Sequence, residues 1–226
     1  MILAVISDVH ANKDALSAII KELEKFSPDK WVFLGDLVGV GAYPEETVQA
    51  VRKVENAVFV KGNHDLFASD GVSPYKREDI RDKFIRWQNK ALSAYSKNFL
   101  KAMPETASFT AEGKTVTCLH YPKAENGWFK IPKYLPTDRD IERIFDGVKG
   151  DIVLFGHEHT GSFHEINGRY FLNFGTAGHY LSPNTARGGI VEISPEKVVY
   201  KAINAVYDDF PSRKRSEEIL KLLSER

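Results

Sequence analysis

The 226 residues of this chain, 42% hydrophobic and 27% charged, are enough for one sizeable core or at most two small ones. Lys plus Arg and Asp plus Glu both number 31, so no net charge favours DNA, RNA or an anionic membrane. The one cysteine, Cys118, excludes an intrachain disulfide, and no apolar run approaches the roughly 20 residues of a bilayer span.

The first residues carry no basic segment and reach Asp8 too early for a secretory signal, so a cytoplasmic location is expected. The apolar run Ile2–Ile6 reads as a buried strand ending in Ser7-Asp8-Val9-His10-Ala11-Asn12. Asn12 is placed to cap a helix whose apolar stripe is Leu16, Ile19, Ile20, Leu23 and Phe26. Residues 31–34 form a second strand that stops at Gly35-Asp36. After a loop with Gly39 and Gly41, Pro44-Glu45-Glu46 opens a second helix, with proline in its first turn and acids at its positive end. Residues 57–61 form a third strand, halted by Gly62, and this puts Asn63, His64 and Asp65 on a loop at the strand's carboxyl end. The βαβαβ rhythm predicts a parallel sheet covered by helices.

Residues 66–104 break that rhythm and read as a helical insertion. Ile80, Phe84, Trp87, Leu92, Tyr95 and Phe99 recur at helical spacing up to Pro104. The opposite face is basic, with Lys76, Arg77, Arg81, Lys83, Arg86 and Lys90, which suits a solvated face or a cap that attracts an anion. Residues 108–112 and 115–120 alternate around Gly113-Lys114 as a hairpin ending in His120. A loop over 121–136 carries Trp128 and Phe129. Thr137 with Asp140 signals a capping-box helix start. Residues 151–155 form another buried strand, ending in Gly156-His157-Glu158-His159. Asn167-Gly168 joins Ser162–Ile166 to Arg169–Asn173 as a two-residue hairpin. Strands near 189–193 and over 197–206 follow, and a helix from Ser212 closes the chain.

Five apolar strands thus end in metal-ligand chemistry: Asp8 and His10; Asp36; Asn63 and His64; His120; His157 and His159. Carboxylate, imidazole and amide oxygen suit Mn, Fe, Zn or Ni with open positions, and the absence of cysteine among them argues against a closed structural zinc site. Each residue alone has a structural alternative, such as a helix cap for Asp8 or a strand-end histidine for His120; the recurrence is what points to a site. His164, inside an alternating strand, reads as structural, and the role of His179 on a glycine-rich loop stays open.

The motifs Ser7-Asp8-Val9-His10-Ala11-Asn12, Gly35-Asp36-Leu37-Val38-Gly39, Gly62-Asn63-His64-Asp65 and Gly156-His157-Glu158-His159, in that order with His120 between, resemble the calcineurin-like metallophosphoesterase superfamily. The closer resemblance is to its small prokaryotic phosphodiesterases. The resemblance implies an α/β protein: a four-layer αββα sandwich of two mixed β-sheets flanked by helices, as a single domain over 1–226. It implies two divalent ions, Mn first and Ni, Fe or Zn as alternatives. Asp8, His10 and His159 would hold one ion, Asn63, His120 and His157 the other, and Asp36 would bridge them. His64 would be a catalytic non-ligand, paired with Asp65. The chain departs from the family's usual residues at Glu158, often Thr, at Tyr121-Pro122 after His120, at 40–42 and at 173–176. These departures remove none of the proposed ligands and bear on which substrate is taken, not on the metal site.

The implied activity is hydrolysis of a small phosphodiester, perhaps a nucleotide, by hydroxide generated at the metals. Two rivals follow from the same residues. A nuclease would want a basic surface, which the neutral balance opposes and the face at 76–90 favours only weakly. A non-catalytic protein-binding scaffold predicts eroded ligands, whereas all seven stand.

Overall fold

The computed structural model describes residues 1–179 and 183–225. β1 (Ile2–Ile6) leads through Asn12, whose side chain accepts from the Ala15 amide, into α1 (Lys13–Glu24). β2 (Lys30–Phe33), α2 (Pro44–Val51) and β3 (Ala57–Phe59) complete the expected βαβαβ unit. The next element departs from expectation. Asn63, His64 and Asp65 are not on a loop; they form the first turn of α3 (Asn63–Asp70), because Asp65 accepts from the Gly62 amide and ties off that end of the helix. Gly71, at φ 68°, ends it.

The helical stripe at 80–99 splits into α4 (Ile80–Ala91) and α5 (Ala94–Ala102), because Ser93 turns its hydroxyl onto the Ser96 amide and starts a new helix. β4 (Thr106–Ala111) and β5 (Lys114–Leu119) pair through a turn at Glu112-Gly113, one residue earlier than the glycine position suggested. Both turn residues have positive φ, and a glutamate rarely announces that conformation. The Thr137 capping box opens α6 (Asp138–Ile144), followed by β6 (Ile152–Leu154). β7 (Ser162–Ile166) and β8 (Arg169–Asn173) flank Asn167-Gly168 as expected. β9 (Thr185–Ile193) starts earlier than expected, and β10 (Val198–Val206) and α7 (Phe210–Ser224) follow.

The strands make two five-stranded mixed sheets, ordered β10-β9-β1-β2-β3 and β4-β5-β6-β8-β7. Alternate residues of each strand point to opposite faces. Leu3, Val5, Val32 and Leu34 from one sheet meet Val116, Cys118, Ile152 and Leu154 from the other in a buried layer between them. Ala4, Ile6 and Phe33 turn the other way, onto Leu16, Ile19 and Leu23 of α1. On the far side of the second sheet, Val153 and Phe171 pack on Ile141 and Ile144 of α6. The result is helix, sheet, sheet, helix. Both faces of the central strands are covered, which explains their unbroken apolar runs. The parallel strands β1 and β2, and β5 and β6, send their carboxyl ends to the same edge. Among the described residues no helix is long and apolar enough to cross a membrane.

Candidate metal centre

At that edge the chain leaves each strand abruptly. Asp8, His10, Asp36, His157 and His159 all have positive φ, between 51° and 72°. Left-handed backbone at non-glycine residues costs about 1–3 kcal/mol each and persists only where surrounding structure enforces it. Here the loops hold one another. The Asp8 amide donates to the Gly35 carbonyl (3.1 Å), His10 to Asp36 (2.9 Å), Gly156 to His120 (2.9 Å) and Gly178 to Asp8 (3.0 Å). The strain turns the side chains inward, into one buried cluster.

Two triads emerge. In the first, Nε2 of His159 lies 2.9 Å from Nε2 of His10 and 3.2 Å from Oδ1 of Asp8, and His10 to Asp8 is 3.7 Å. In the second, Nε2 of His120 lies 3.4 Å from Oδ2 of Asp36 and 3.2 Å from Nδ1 of His157. Donors at about 2.0–2.2 Å from a common ion stand about 3.0–3.6 Å apart, so these separations suit shared cations. Asp36 also groups with His10 and His64, all within 4.8 Å, and so joins the two triads. Asn63 Oδ1, Asp8 Oδ1 and His10 Nδ1 are buried without a hydrogen-bond partner. An orphaned buried acceptor is costly unless something electropositive meets it. The donor set and its spacing fit divalent metal ions.

The remaining atoms are held for that purpose. Asp8 Oδ2 accepts from the Ser7 hydroxyl (2.5 Å) and the His157 amide (3.0 Å), which leaves Oδ1 facing the cluster. Asp36 Oδ1 accepts from the His64 amide (2.8 Å). Nδ1 of His120 faces the Leu34 carbonyl at 2.7 Å; a carbonyl only accepts, so Nδ1 carries the proton and Nε2 is turned to Asp36. A methyl group at Gly62 would stand 2.1 Å from Asp36 Oδ1, so glycine there makes room for the carboxylate.

Charge follows geometry. Burial alone would raise both carboxyls, yet the His159 imidazole 3.2 Å from Asp8 holds that carboxyl well below the usual range, and the charge of His120 does the same for Asp36. Burial would likewise lower His120, but Asp36 beside it pushes it up to about 9. That imidazolium proton stands where a cation would bind, and metal binding releases such protons. Burial lowers His10 and His64, and takes His157 down to about 4. A buried pair of carboxylates held ionised among mostly neutral imidazoles is a cation site in its electrostatics as well as its spacing.

The structure brings Asp8, His10, Asp36, His120, His157, His159 and His64 together, with Asn63 opening the adjoining helix. Asp65 is different. The expected pairing with His64 gives way to three backbone bonds: Asp65 accepts from the amides of Gly62 (2.9 Å), Leu37 (2.9 Å) and Val38 (3.2 Å). It clamps the loop of Asp36 to the helix of His64, and both its oxygens are occupied in doing so. His164 pairs with Asp138 away from the cluster. His179, left open by the sequence, packs its ring 4.3 Å from that of His159 and 5.2 Å from that of His10. Its glycine-rich loop was the only clue, and the backbone bond that docks this loop on Asp8 links residues 170 apart.

Two departures noted in the sequence compensate each other. The Tyr121 hydroxyl donates to Glu158 (2.8 Å), both residues are buried, and the Tyr121 ring lies 5.1 Å from that of His157. Burial raises the Glu158 carboxyl, and the Tyr121 and Ser162 hydroxyls oppose that. Of the aromatics singled out earlier, Phe129 edges onto His120 at 5.4 Å and Trp128 lies against Phe67, whereas Tyr95 faces outward under Arg52.

A family model for the calcineurin-like phosphoesterase superfamily domain matches residues 1–196. The uncharacterized protein MJ0912 of Methanocaldococcus jannaschii is 31% identical over 179 residues, which is 76% of this chain and 68% of that protein. The hypothetical protein PH1004 of Pyrococcus horikoshii has a similar structure, with a TM-score of 0.81 at 19% identity over 98% of this chain and 92% of that one. A metallophosphoesterase from Sphaerobacter thermophilus gives 0.72 at 23% identity over 100% and 97%.

Proposed function

Since the chain belongs to the calcineurin-like phosphoesterase superfamily, we propose that it hydrolyses a small phosphodiester at two divalent metal ions. Asp8, His10 and His159 would hold one ion, Asn63, His120 and His157 the other, and Asp36 would serve both. The observation that carries this reading is the pair of buried triads joined through Asp36, with ligand oxygens left unsatisfied. Mixed oxygen and nitrogen donors do not select strictly among divalent metals; Mn is the first choice for activity, with Ni, Fe or Zn as alternatives. Such a pair, when bound, draws charge from the phosphate oxygens and makes a water acidic enough to attack phosphorus.

The protein's own groups do the rest. Ser7 and the His157 amide keep Asp8 in one rotamer, so the triad needs no reorganisation. His64 is half-buried at the first turn of α3, with its ring 5.1 Å from that of His10, and it is not needed as a ligand. We assign it to the leaving oxygen, as proton donor or hydrogen-bond donor. Asp65 positions His64 through the backbone, accepting from the amides of Gly62, Leu37 and Val38.

A small substrate is favoured over a polymer. On α4, Arg81 and Arg86 are ion-paired with Asp79 and Asp82, and Lys83 donates to the Leu223 carbonyl. Half of the basic face is therefore spent internally, and tracking a nucleic-acid backbone needs free cations. The test is metal analysis of the replete protein alongside turnover of bis(p-nitrophenyl) phosphate, p-nitrophenyl phosphate and single-stranded DNA at two salt concentrations. Two ions per chain and a diester preference are expected. One ion, with Asp36→Asn unchanged in affinity, would refute the dinuclear reading. Two ions without turnover of any ester would favour the scaffold.

A further inference from the structure

Beside the cluster, a cleft of about 360 Å³ opens between the loop at Gly39, α4 and α7. Two of its lining residues, His64 and His179, also border the metal-ligand cluster: their rings lie 5.1 and 5.2 Å from that of His10. A phosphoryl group seated on the triads would therefore send a substituent into this space. The volume sits at the low end of the roughly 300–1,000 Å³ of small-molecule sites, room for one ring system but not for a polymer or a protein segment.

The walls define what fits. Phe84, Ile80 and Leu220 present apolar surface, and the last two are 37% and 38% exposed, which is unusual for large aliphatics beside a buried site. Gln88, which a nucleobase edge would otherwise use, is already spent. Its amide donates to the carbonyls of Gly39 and Gly41 and accepts from the Gly39 amide. The rim carries the Tyr75 ring with the Arg81 guanidinium 4.0 Å over its centre, a pair of planar groups, and Asp79 already neutralises the arginine. The space thus offers shape, apolar contact and aromatic faces, and little directional hydrogen bonding.

We propose that this cleft is the subsite for the organic substituent of the phosphoester, and that it selects an uncharged planar ring by shape. The proposal rests on the phosphoesterase reading above and names the substrate class it takes: aryl or nucleobase-bearing esters, with weak discrimination between rings of similar size.

The test uses non-hydrolysable phosphonates and metal-loaded protein, read by calorimetry. Phenylphosphonate should bind roughly 10–200-fold tighter than methylphosphonate, the range of a small apolar group in a fitted pocket. Hexylphosphonate, with as many carbons but no plane, should fall between them. Leu220→Glu puts a charge in the cleft, and the ratio of phenyl to methyl affinity should collapse towards one. Ile80→Glu on the opposite wall supplies the same test should the first variant fail to fold. Equal affinities for phenyl and methyl in the unmodified protein, or a ratio untouched by both variants, would overturn the proposal. So would hexyl binding as tightly as phenyl. Turnover of bis(p-nitrophenyl) phosphate is measured in parallel. Turnover with equal phosphonate affinities sinks the cleft assignment alone, whereas no turnover together with no phosphonate binding sinks the phosphoesterase reading itself.

Discussion

Tyr121→Phe removes one atom, the hydroxyl that donates to Glu158 at 2.8 Å. Tyr121 is 2% exposed and Glu158 9%, so water cannot replace the lost donor without rearrangement. Glu158 keeps only the Ser162 hydroxyl at 3.1 Å on its other oxygen. A hydrogen bond to a charged group contributes about 1.5–3 kcal/mol net, and an unsatisfied buried acceptor costs a similar amount. For 226 residues the unfolding entropy is roughly 0.5 kcal/mol per kelvin, so Tm should fall by about 3–6 °C. The assay is thermal unfolding by circular dichroism of the wild type, Tyr121→Phe, Glu158→Leu and the double variant. The two residues share one bond, so the double variant should lose about 1 kcal/mol or more less than the sum of the singles. A Tyr121→Phe protein within about 1 °C of wild type, or strictly additive losses, would refute the compensating pair.

His64→Ala should keep its metal content while kcat falls roughly 10²–10⁴-fold, the range for a lost acid–base group; a metal lost from that variant, read by elemental analysis, would make His64 a ligand instead. Gly62→Ala pushes a methyl to 2.1 Å from Asp36 Oδ1 and 2.4 Å from the Asp36 amide. The displaced carboxylate should lower turnover about 10²-fold and weaken metal binding, and wild-type values for both would remove Asp36 from the centre. Hydrogen bonds from Lys133 and Thr137 hold the Asp140 carboxyl below its usual 3.8, so the unfolded chain takes up that proton more readily than the folded one. Its stabilising contribution is complete above pH 3.8 and is lost as the pH falls below it. Asp140→Asn should therefore flatten the decline of Tm on acidification, and a slope identical to wild type would count against the linkage.

The sequence by itself named the elements whose signals are local. Asn12, Pro44, Thr137 and Asn167-Gly168 act through their own neighbours, and the structure uses each where it was expected. Where the local signal was weak the reading slipped. Ser93 broke a continuous apolar stripe into two helices, and Glu112 took a left-handed conformation that its side chain does not advertise. The ligand-type residues were legible for a related reason: each ends an apolar run, and their recurrence could be counted.

What tertiary structure decided was which partner each of them found. Asp65 adjoins His64 in sequence, yet helical geometry turns its carboxylate onto the amides of Leu37 and Val38, 27 or more residues away. Tyr121 and Glu158 looked like unrelated departures until β5 and the loop after β6 came side by side. His179 carried only its glycine-rich loop as a local sign, which left its role open, and the docking of that loop on Asp8 is what brings it to the cluster. The cleft depends on Leu220 of α7, at the far end of the chain, packing against α4. Propensity, capping and turn chemistry act over a few residues and can be read from the chain, whereas a carboxylate's hydrogen-bond partners and a cleft's walls exist only once distant strand ends and helices have been packed together.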